Sequence, residues 1–405
     1  MRPLDQRPAS AGGKPVRPRE RTLVFGAPAL GEEEIAEVVA TLRSGWIGTG
    51  PRVARFEAQF ARYVEAPFAV ALSSCTAALH LALLASGIGP GDEVITTPLT
   101  FCATVNAILH AGAQPVLADC DPATGNLDPE RVAERIGPRT RAILPVHLAG
   151  RPCDGSALGE LARRHGLRVI GDCAHAIEAC DAPGRQVARS ADIACFSFYA
   201  TKNLTTAEGG MLVTADPAVA AHVKTLALHG MSHDAWKRFS DEGYVHYDVT
   251  EAGFKYNMTD LQAALGLHQL ARIEVNLSRR EAIWRRYDDA FADLPLELPA
   301  PPTPGMRHAR HLYQLRVETG RLLISRDRFL TALHAEGIGA GVHYRSISDH
   351  AFYRERLGLA VGELGCAEDI GRRTFSIPLS AALSDADAAD VVEAVRRIAL
   401  AHAAF

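Results

Sequence analysis

The chain has 405 residues, 47% of them apolar and 22% charged, with a net charge of -4 at neutral pH. That length exceeds what one hydrophobic core supports, so a large domain with a smaller one is expected, and the composition excludes a disordered or fibrous protein. The slightly acidic balance, with no basic stretch interleaved with aromatics, excludes a nucleic-acid partner.

Residues 1–21 carry four prolines and six basic side chains with almost no bulky apolar ones. They cannot bury enough surface to offset ordering entropy, so a flexible arm over residues 1–22 is expected. The arm lacks the continuous apolar region of a secretory signal.

From Leu23 the pattern alternates between helical and strand-like segments. Ile35, Val38, Val39 and Leu42 recur at helical spacing in the run Glu32 to Ser44, which Gly45 ends. A second helix over Pro51 to Val64 leads to the apolar strand Phe68 to Leu72, and Thr76 to Ser86 is a helix begun by small hydroxyl residues. Strands are predicted at Glu93–Thr96, Gln114–Ala118, Ala142–Val146 and Arg168–Asp172, with helices at Cys102–Ala111, Pro129–Ile136 and Ser156–His165 between them. Such alternation implies a parallel sheet in an α/β protein, whose ligands sit outside the carboxyl ends of the strands.

Two further apolar runs, Ala194–Phe198 and Gly210–Val213, flank a polar loop that holds Lys202, a hairpin-like arrangement. Met258 to Arg286 reads as one long helix linking a large domain, residues 23–272, to a smaller C-terminal α/β domain, residues 273–405. The latter is expected to contain strand Leu312–Val317, helix Asp327–Glu336, strand Gly341–Tyr344 and helix Asp385–Leu400. The most apolar stretch, Val70 to Ile88, contains Ser73, Ser74, Thr76 and His80, so it is a strand and buried helix and no membrane span.

The eight cysteines are scattered singly with no Cys-x-x-Cys pair, which favours neither zinc nor a disulfide framework and fits a reducing cytoplasm. Asp172 follows a buried strand directly, where a parallel sheet presents ligand-binding groups. Thirty residues on, Lys202 sits in a loop with hydroxyls on both sides, where partial desolvation depresses an amine pKa and leaves a nucleophile toward carbonyls. Taken singly, such an Asp caps a helix about as often, and a lone loop Lys is usually solvated. Pyridoxal phosphate (PLP) needs the combination: a lysine for its aldehyde, an acid for its ring nitrogen, a planar group against the ring and a phosphate cup. The amides of Cys75 and Thr76, at a helix start, would form that cup, joined by the Ser197 hydroxyl.

Order and spacing add a resemblance. Ser73-Ser74-Cys75-Thr76-Ala77-Ala78-Leu79, Gly171-Asp172-Cys173-Ala174-His175-Ala176 and Ser197-Phe198-Tyr199-Ala200-Thr201-Lys202-Asn203 resemble blocks of the DegT/StrS sugar aminotransferase family. Ser44 to Pro51, Gly253 to Ala264 and His343-Tyr344 resemble others, in family order from Leu23 to the last helix.

The resemblance implies a fold-type-I PLP-dependent transferase, with a mostly parallel seven-stranded sheet in its large domain and helices on its faces. It implies that Lys202 joins the cofactor as a Schiff base and shuttles the proton, that Asp172 pairs with the ring nitrogen, that Phe101 stacks on the ring, and that His175 lies near its phenolic oxygen. Thr76, Ser197 and the Cys75 amide would hold the phosphate, with Asn257 reaching it from the neighbouring subunit of a homodimer with a shared active site. Trp46, His343 and Tyr344 are the implied substrate contacts. The implied reaction moves an amino group from L-glutamate or L-glutamine to a nucleotide-linked keto-deoxysugar, an NDP-4-keto-6-deoxyhexose ahead of a keto-inositol or 3-keto sugar.

Cys75 stands where many relatives have Gly, and Gly171 where they often have Glu; neither change removes a catalytic group. A dehydratase branch carries histidine in place of the lysine, so Lys202 favours transamination. A PLP-binding regulatory protein without turnover is the alternative of another class, set against the retained Lys202, Asp172 and His175. A PLP lyase or cysteine desulfurase would need a catalytic cysteine loop, and none is evident. His229 and His233 are spaced like metal ligands, yet lack an HExxH frame or a third ligand, so no metal is expected.

Overall fold

The computed structural model describes residues 7–182, 184–231 and 248–404. Helices α1 (Glu32–Ser44) and α2 (Pro51–Tyr63) precede β1 (Phe68–Leu72) and α3 (Cys75–Ala85). Then β2 (Glu93–Thr96), α4 (Cys102–His110), β3 (Gln114–Leu117), α5 (Pro129–Arg135), β4 (Thr140–Leu144), α6 (Gly155–His165) and β5 (Arg168–Asp172) alternate. A short ribbon, β6 (Cys180–Ala182) and β7 (Arg185–Gln186), leads to β8 (Ile193–Ser197), β9 (Gly210–Thr214) and α7 (Pro217–Ala227).

The main sheet has seven strands in the order β1-β9-β8-β5-β4-β2-β3. Its pairings from β8 to β3 are parallel, while β9 runs against both β1 and β8. The two apolar runs around Lys202 are therefore adjacent antiparallel strands, Ser197 opposite Gly210. Because β8 and β9 are buried along their whole length, they read as continuous apolar runs without alternation.

Apolar layers cover both faces. One is centred on α3, whose Ala78, Leu81, Ala82 and Leu83 are wholly buried. On the other, Phe56, Phe60, Phe196 and Phe198 pack with ring centroids 5.1 to 5.3 Å apart across α2 and β8. A Cβ at Gly266 would come within 2.6 Å of the Phe56 ring, so a glycine lets the next helix close on this cluster. Removing one of these rings would cost ~3–5 kcal/mol.

The predicted long helix over Met258 to Arg286 is two helices, α8 (Asp260–Ala271) and α9 (Ile273–Phe291), broken at Arg272. Thr259 caps α8 and pairs reciprocally with Gln262, a start signal inside the long apolar pattern. Beyond α9 come β10 (Leu296–Glu297), β11 (Tyr313–Val317), α10 (Arg326–Ala335), α11 (Ala351–Leu357), α12 (Gly365–Arg373), β12 (Thr374–Ile377) and α13 (Asp385–Ala401). Strands β10, β11 and β12 form a separate three-stranded sheet over a core containing Tyr287, Tyr313, Phe329 and Phe375. The expected strand Gly341–Tyr344 is irregular, with only Gly341 bridging Ser376.

The expectation of a flexible arm fails from residue 7 onward. The buried Glu336 carboxylate accepts the N–H groups of Ala9 (2.8 Å) and Val16 (2.9 Å), and the Arg17 guanidinium binds Asp387 (2.6 Å) and Asp390 (2.9 Å). Backbone amides and ion pairs hold the segment, a mode of attachment that counting its apolar residues does not register. Among the described residues, no helix is long and apolar enough to cross a membrane.

Candidate active site

The carboxyl ends of the parallel strands and the amino end of β9 meet at a cavity of about 460 Å3. Four strands each deliver a part: Cys75 and Thr76 after β1, Phe101 after β2, Asp172 from β5, Ser197 from β8. Lys202 enters from the β8–β9 loop, which Thr206 N–H to Phe198 C=O and Phe198 N–H to Gly209 C=O, both 2.9 Å, close at its base.

At the start of α3 the Ser74 hydroxyl accepts the Ala77 N–H at 3.0 Å. The helix has no acceptor of its own for the N–H groups of Cys75 and Thr76, so these face an incoming anion with the positive end of the helix dipole. A Cβ on Gly210 would stand 2.3 Å from the Ser74 carbonyl carbon and 2.5 Å from the Cys75 nitrogen. Only glycine lets β9 pass so close beneath that amide cup.

The Asp172 carboxylate accepts the Thr104 hydroxyl at 2.8 Å and the Ala174 N–H at 3.1 Å. Burial pushes its pKa up, against these hydrogen bonds and the Lys202 charge. For Lys202, burial lowers the pKa to about 8, against the attraction of Asp172 and Cys75. The amine is thus near half neutral at mildly alkaline pH, beside a carboxylate held for a positive partner.

Of the three imidazoles that line the cavity, His175 and His311 are opposite tautomers, assigned from their partners. His175 Nδ1 accepts the Ala149 N–H at 3.2 Å, so its proton sits on Nε2, 3.2 Å from the Tyr344 hydroxyl. Asn203 spends its amide N–H groups on Glu178 (2.9 Å) and the Ala309 carbonyl (3.0 Å), so its oxygen accepts from His311 Nδ1 at 2.9 Å. That leaves His311 Nε2 as an acceptor, with the two ring centroids 4.4 Å apart. Burial, then the Lys202 charge, lowers both pKa values, so both rings are neutral. Glu178 in turn holds Arg280, an ion pair with both side chains almost wholly buried.

His343 binds Ser376 at 3.0 Å and stacks on Phe25 at 5.2 Å, and burial takes its pKa down to about 4. Burial raises the pKa of the Tyr344 hydroxyl.

Of the residues singled out in the sequence, Cys75, Thr76, Phe101, Asp172, His175, Ser197, Lys202, His343 and Tyr344 all line this cavity. Trp46 and Asn257 do not; they line a second, mostly apolar cavity of about 660 Å3, where the Asn257 amide donates to the Thr49 hydroxyl at 2.6 Å. The sequence reading missed Thr104, Asn203 and His311. A signal existed for two of them: Asn203 adjoins the lysine, and His311 stands just ahead of a recognisable strand. His229 lies in a turn at φ 60°, and His233 is outside the described residues.

A model of the DegT/DnrJ/EryC1/StrS aminotransferase family matches residues 28–396. The chain belongs to that family. It is 48% identical to the spore coat polysaccharide biosynthesis protein SpsC of Bacillus subtilis, over 95% of this chain and 98% of SpsC. Its fold superposes on Streptococcus pneumoniae Spr1654, described as a sugar aminotransferase and solved in its PMP form, with TM-score 0.88, 34% identity and coverage of 94% and 99%. DesI, solved in the presence of its TDP-sugar product, gives TM-score 0.83 at 30% identity, covering 96% of this chain and 97% of DesI.

This family member is a sugar aminotransferase of fold type I that works with PLP. The cavity fits that cofactor: a glycine-cleared amide cup suits a phosphate, and a buried carboxylate suits a protonated ring nitrogen.

Proposed function

We propose that the protein transfers the amino group of L-glutamate or L-glutamine to the ketone of a nucleotide-linked deoxysugar, an NDP-4-keto-6-deoxyhexose. The observation that carries this reading is Lys202, an amine brought to a pKa of about 8 at the end of a sheet whose other strands deliver Asp172 and the α3 amide cup. The sugar assignment is supported by similarity to DesI, a protein solved with a TDP-sugar product.

When bound, PLP supplies an aldehyde that takes up amines and a ring that withdraws electrons from the carbon losing its proton. Neutral Lys202 would hold the aldehyde and, once displaced by the donor amine, carry the proton between the reacting carbon and the cofactor. Asp172 would keep the ring nitrogen protonated. The Cys75 and Thr76 amides and the Ser197 hydroxyl would hold the phosphate, while Phe101 would lie against the ring. His175 would direct its Nε2 hydrogen toward the phenolic oxygen, and His343 and Tyr344 would contact the sugar.

Within one chain, Asn257 and Trp46 face the second cavity. Their assigned contacts with phosphate and sugar therefore call for a homodimer in which each chain completes the other's site. Trp46 is 47% exposed and Phe68 38%, large apolar side chains of the kind that subunit interfaces cover.

The test has two stages. L-Glutamate or L-glutamine added to the PLP-loaded protein is expected to move the cofactor's visible absorption to the near-ultraviolet band of its amine form. No shift with any common donor would leave a cofactor-binding protein without turnover. Keto-sugar nucleotides then go to the amine form, with the position of the new amine read by NMR. Return of the visible band only with a keto-inositol or a 3-keto sugar would overturn the acceptor named here.

A further inference from the structure

Cys120 and Cys366 are 246 residues apart, yet the Cys120 thiol points at the Cys366 sulfur across 3.6 Å. Cys120 follows β3 in the main sheet's territory, and Cys366 lies in the first turn of α12, beyond the second sheet's β11. Asp119 fixes the juxtaposition: one carboxylate oxygen accepts the N–H groups of Cys120 (2.8 Å) and Ala367 (2.9 Å), the other that of Cys366 (2.9 Å). Both cysteines line a surface cavity of about 350 Å3, where Cys366 is part-exposed and Cys120 lies buried behind it.

We propose that Cys120 and Cys366 are a dithiol site that a peroxide closes into a reversible disulfide, clasping the loop after β3 to α12. The Cys366 thiolate is the attacking group. The start of α12 and the hydrogen bond from Cys120 both favour its charge, and its pKa is lowered, that hydrogen bond being the largest cause. It attacks one peroxide oxygen and breaks the O–O bond; the departing oxygen takes a proton and leaves as water, and Cys366 becomes a sulfenic acid. Cys120 then loses its proton and attacks the Cys366 sulfur, the S–S bond forms and a second water leaves. Two electrons pass from the two sulfurs to the peroxide.

A cation is the poorer occupant. Asp119 already spends both oxygens on amides, which leaves two sulfurs where a zinc site takes at least three protein ligands. The sulfurs need only close from 3.6 Å to about 2 Å. Both cysteines belong to the apolar cluster that contains Leu99, Ala149, Leu312 and Tyr344, so the clasp would tighten the wall behind the active site. It would also close a very long loop, which constrains the unfolded chain.

The experiment uses the PLP-loaded protein and one equivalent of hydrogen peroxide, followed by alkylation, digestion and mass spectrometry. The expected result is a Cys120–Cys366 linked peptide, a loss of two of the eight thiols, and their recovery with dithiothreitol. Oxidation should raise the unfolding midpoint of the wild type and leave it unmoved in Cys120→Ser and Cys366→Ser, both of which keep the cofactor's visible band. An absent link, a link involving Cys75, Cys102 or Cys173 instead, or the same midpoint shift in the variants would overturn the proposal. None of these readouts depends on the sugar acceptor.

Discussion

The candidate active site has a floor and a wall, and the two are made differently. The floor is the row of strand ends that presents the α3 amide cup, Asp172 and Ser197, and each residue there is placed by sheet register within a few residues of its own strand. The wall is gathered from far apart in the chain: Phe25, His311, and the His343–Tyr344 pair. It is held to the floor by polar contacts, Tyr344 to His175 and His311 to Asn203, with the Glu178–Arg280 pair beneath. The residues that would carry the chemistry thus rest on short-range geometry, and the enclosure depends on buried long-range polar contacts, whose worth in a low-dielectric network exceeds the sum of its pairs.

The largest effect that would test this division is at the floor. Lys202→Ala should lower single-turnover transamination with L-glutamate by ~10³–10⁴-fold while the unfolding midpoint stays near wild type. A comparable loss of stability would mean that floor and wall are not separable. At the wall, Glu178→Ala leaves Arg280 buried without its partner, and chemical denaturation should show a loss of ~3–5 kcal/mol. A near-zero change there would break the comparison from the other side.

The floor also predicts a pH dependence. Lys202 is protonated below a pKa of about 8 and neutral above it. Its reaction with added PLP, followed by stopped-flow absorbance of the apo protein, should therefore speed up roughly fiftyfold from pH 6 to 8 and then level off. A rise continuing to pH 10 would show an ordinary solvated amine. The smallest effect is expected at Thr104→Val, which removes one of the two protein hydrogen bonds on Asp172 and keeps the shape. The catalytic rate should fall about tenfold, or ~1.4 kcal/mol, with little change in donor KM.

Much of the floor was legible in the chain itself. Strands Phe68–Leu72, Glu93–Thr96 and Arg168–Asp172 have the predicted bounds, because short apolar runs flanked by polar turns leave little choice of segment. Asp172 and Lys202 could be picked out for the same reason, each following a buried run. The wall was harder. His343 and Tyr344 were found by resemblance, but the strand expected around them is irregular. Asn203 and His311 went unnoticed because their meaning lies in each other, 108 residues apart. The arm misled in the opposite direction: it is poor in apolar residues, yet its amides find the buried Glu336.

By itself, then, the order of residues determined the α/β alternation, the lysine with its acid and the helix start that suits a phosphate, because period, polarity and capping act over a handful of neighbours; the fold type was implied by the family resemblance. Only the tertiary structure decided which imidazole donates and which accepts, that Thr104 supports Asp172, that Trp46 lines a cavity apart from its own chain's lysine, and that Cys120 meets Cys366. Each of these depends on how distant segments dock, where the free energy comes from burial and shared hydrogen bonds that no local pattern records.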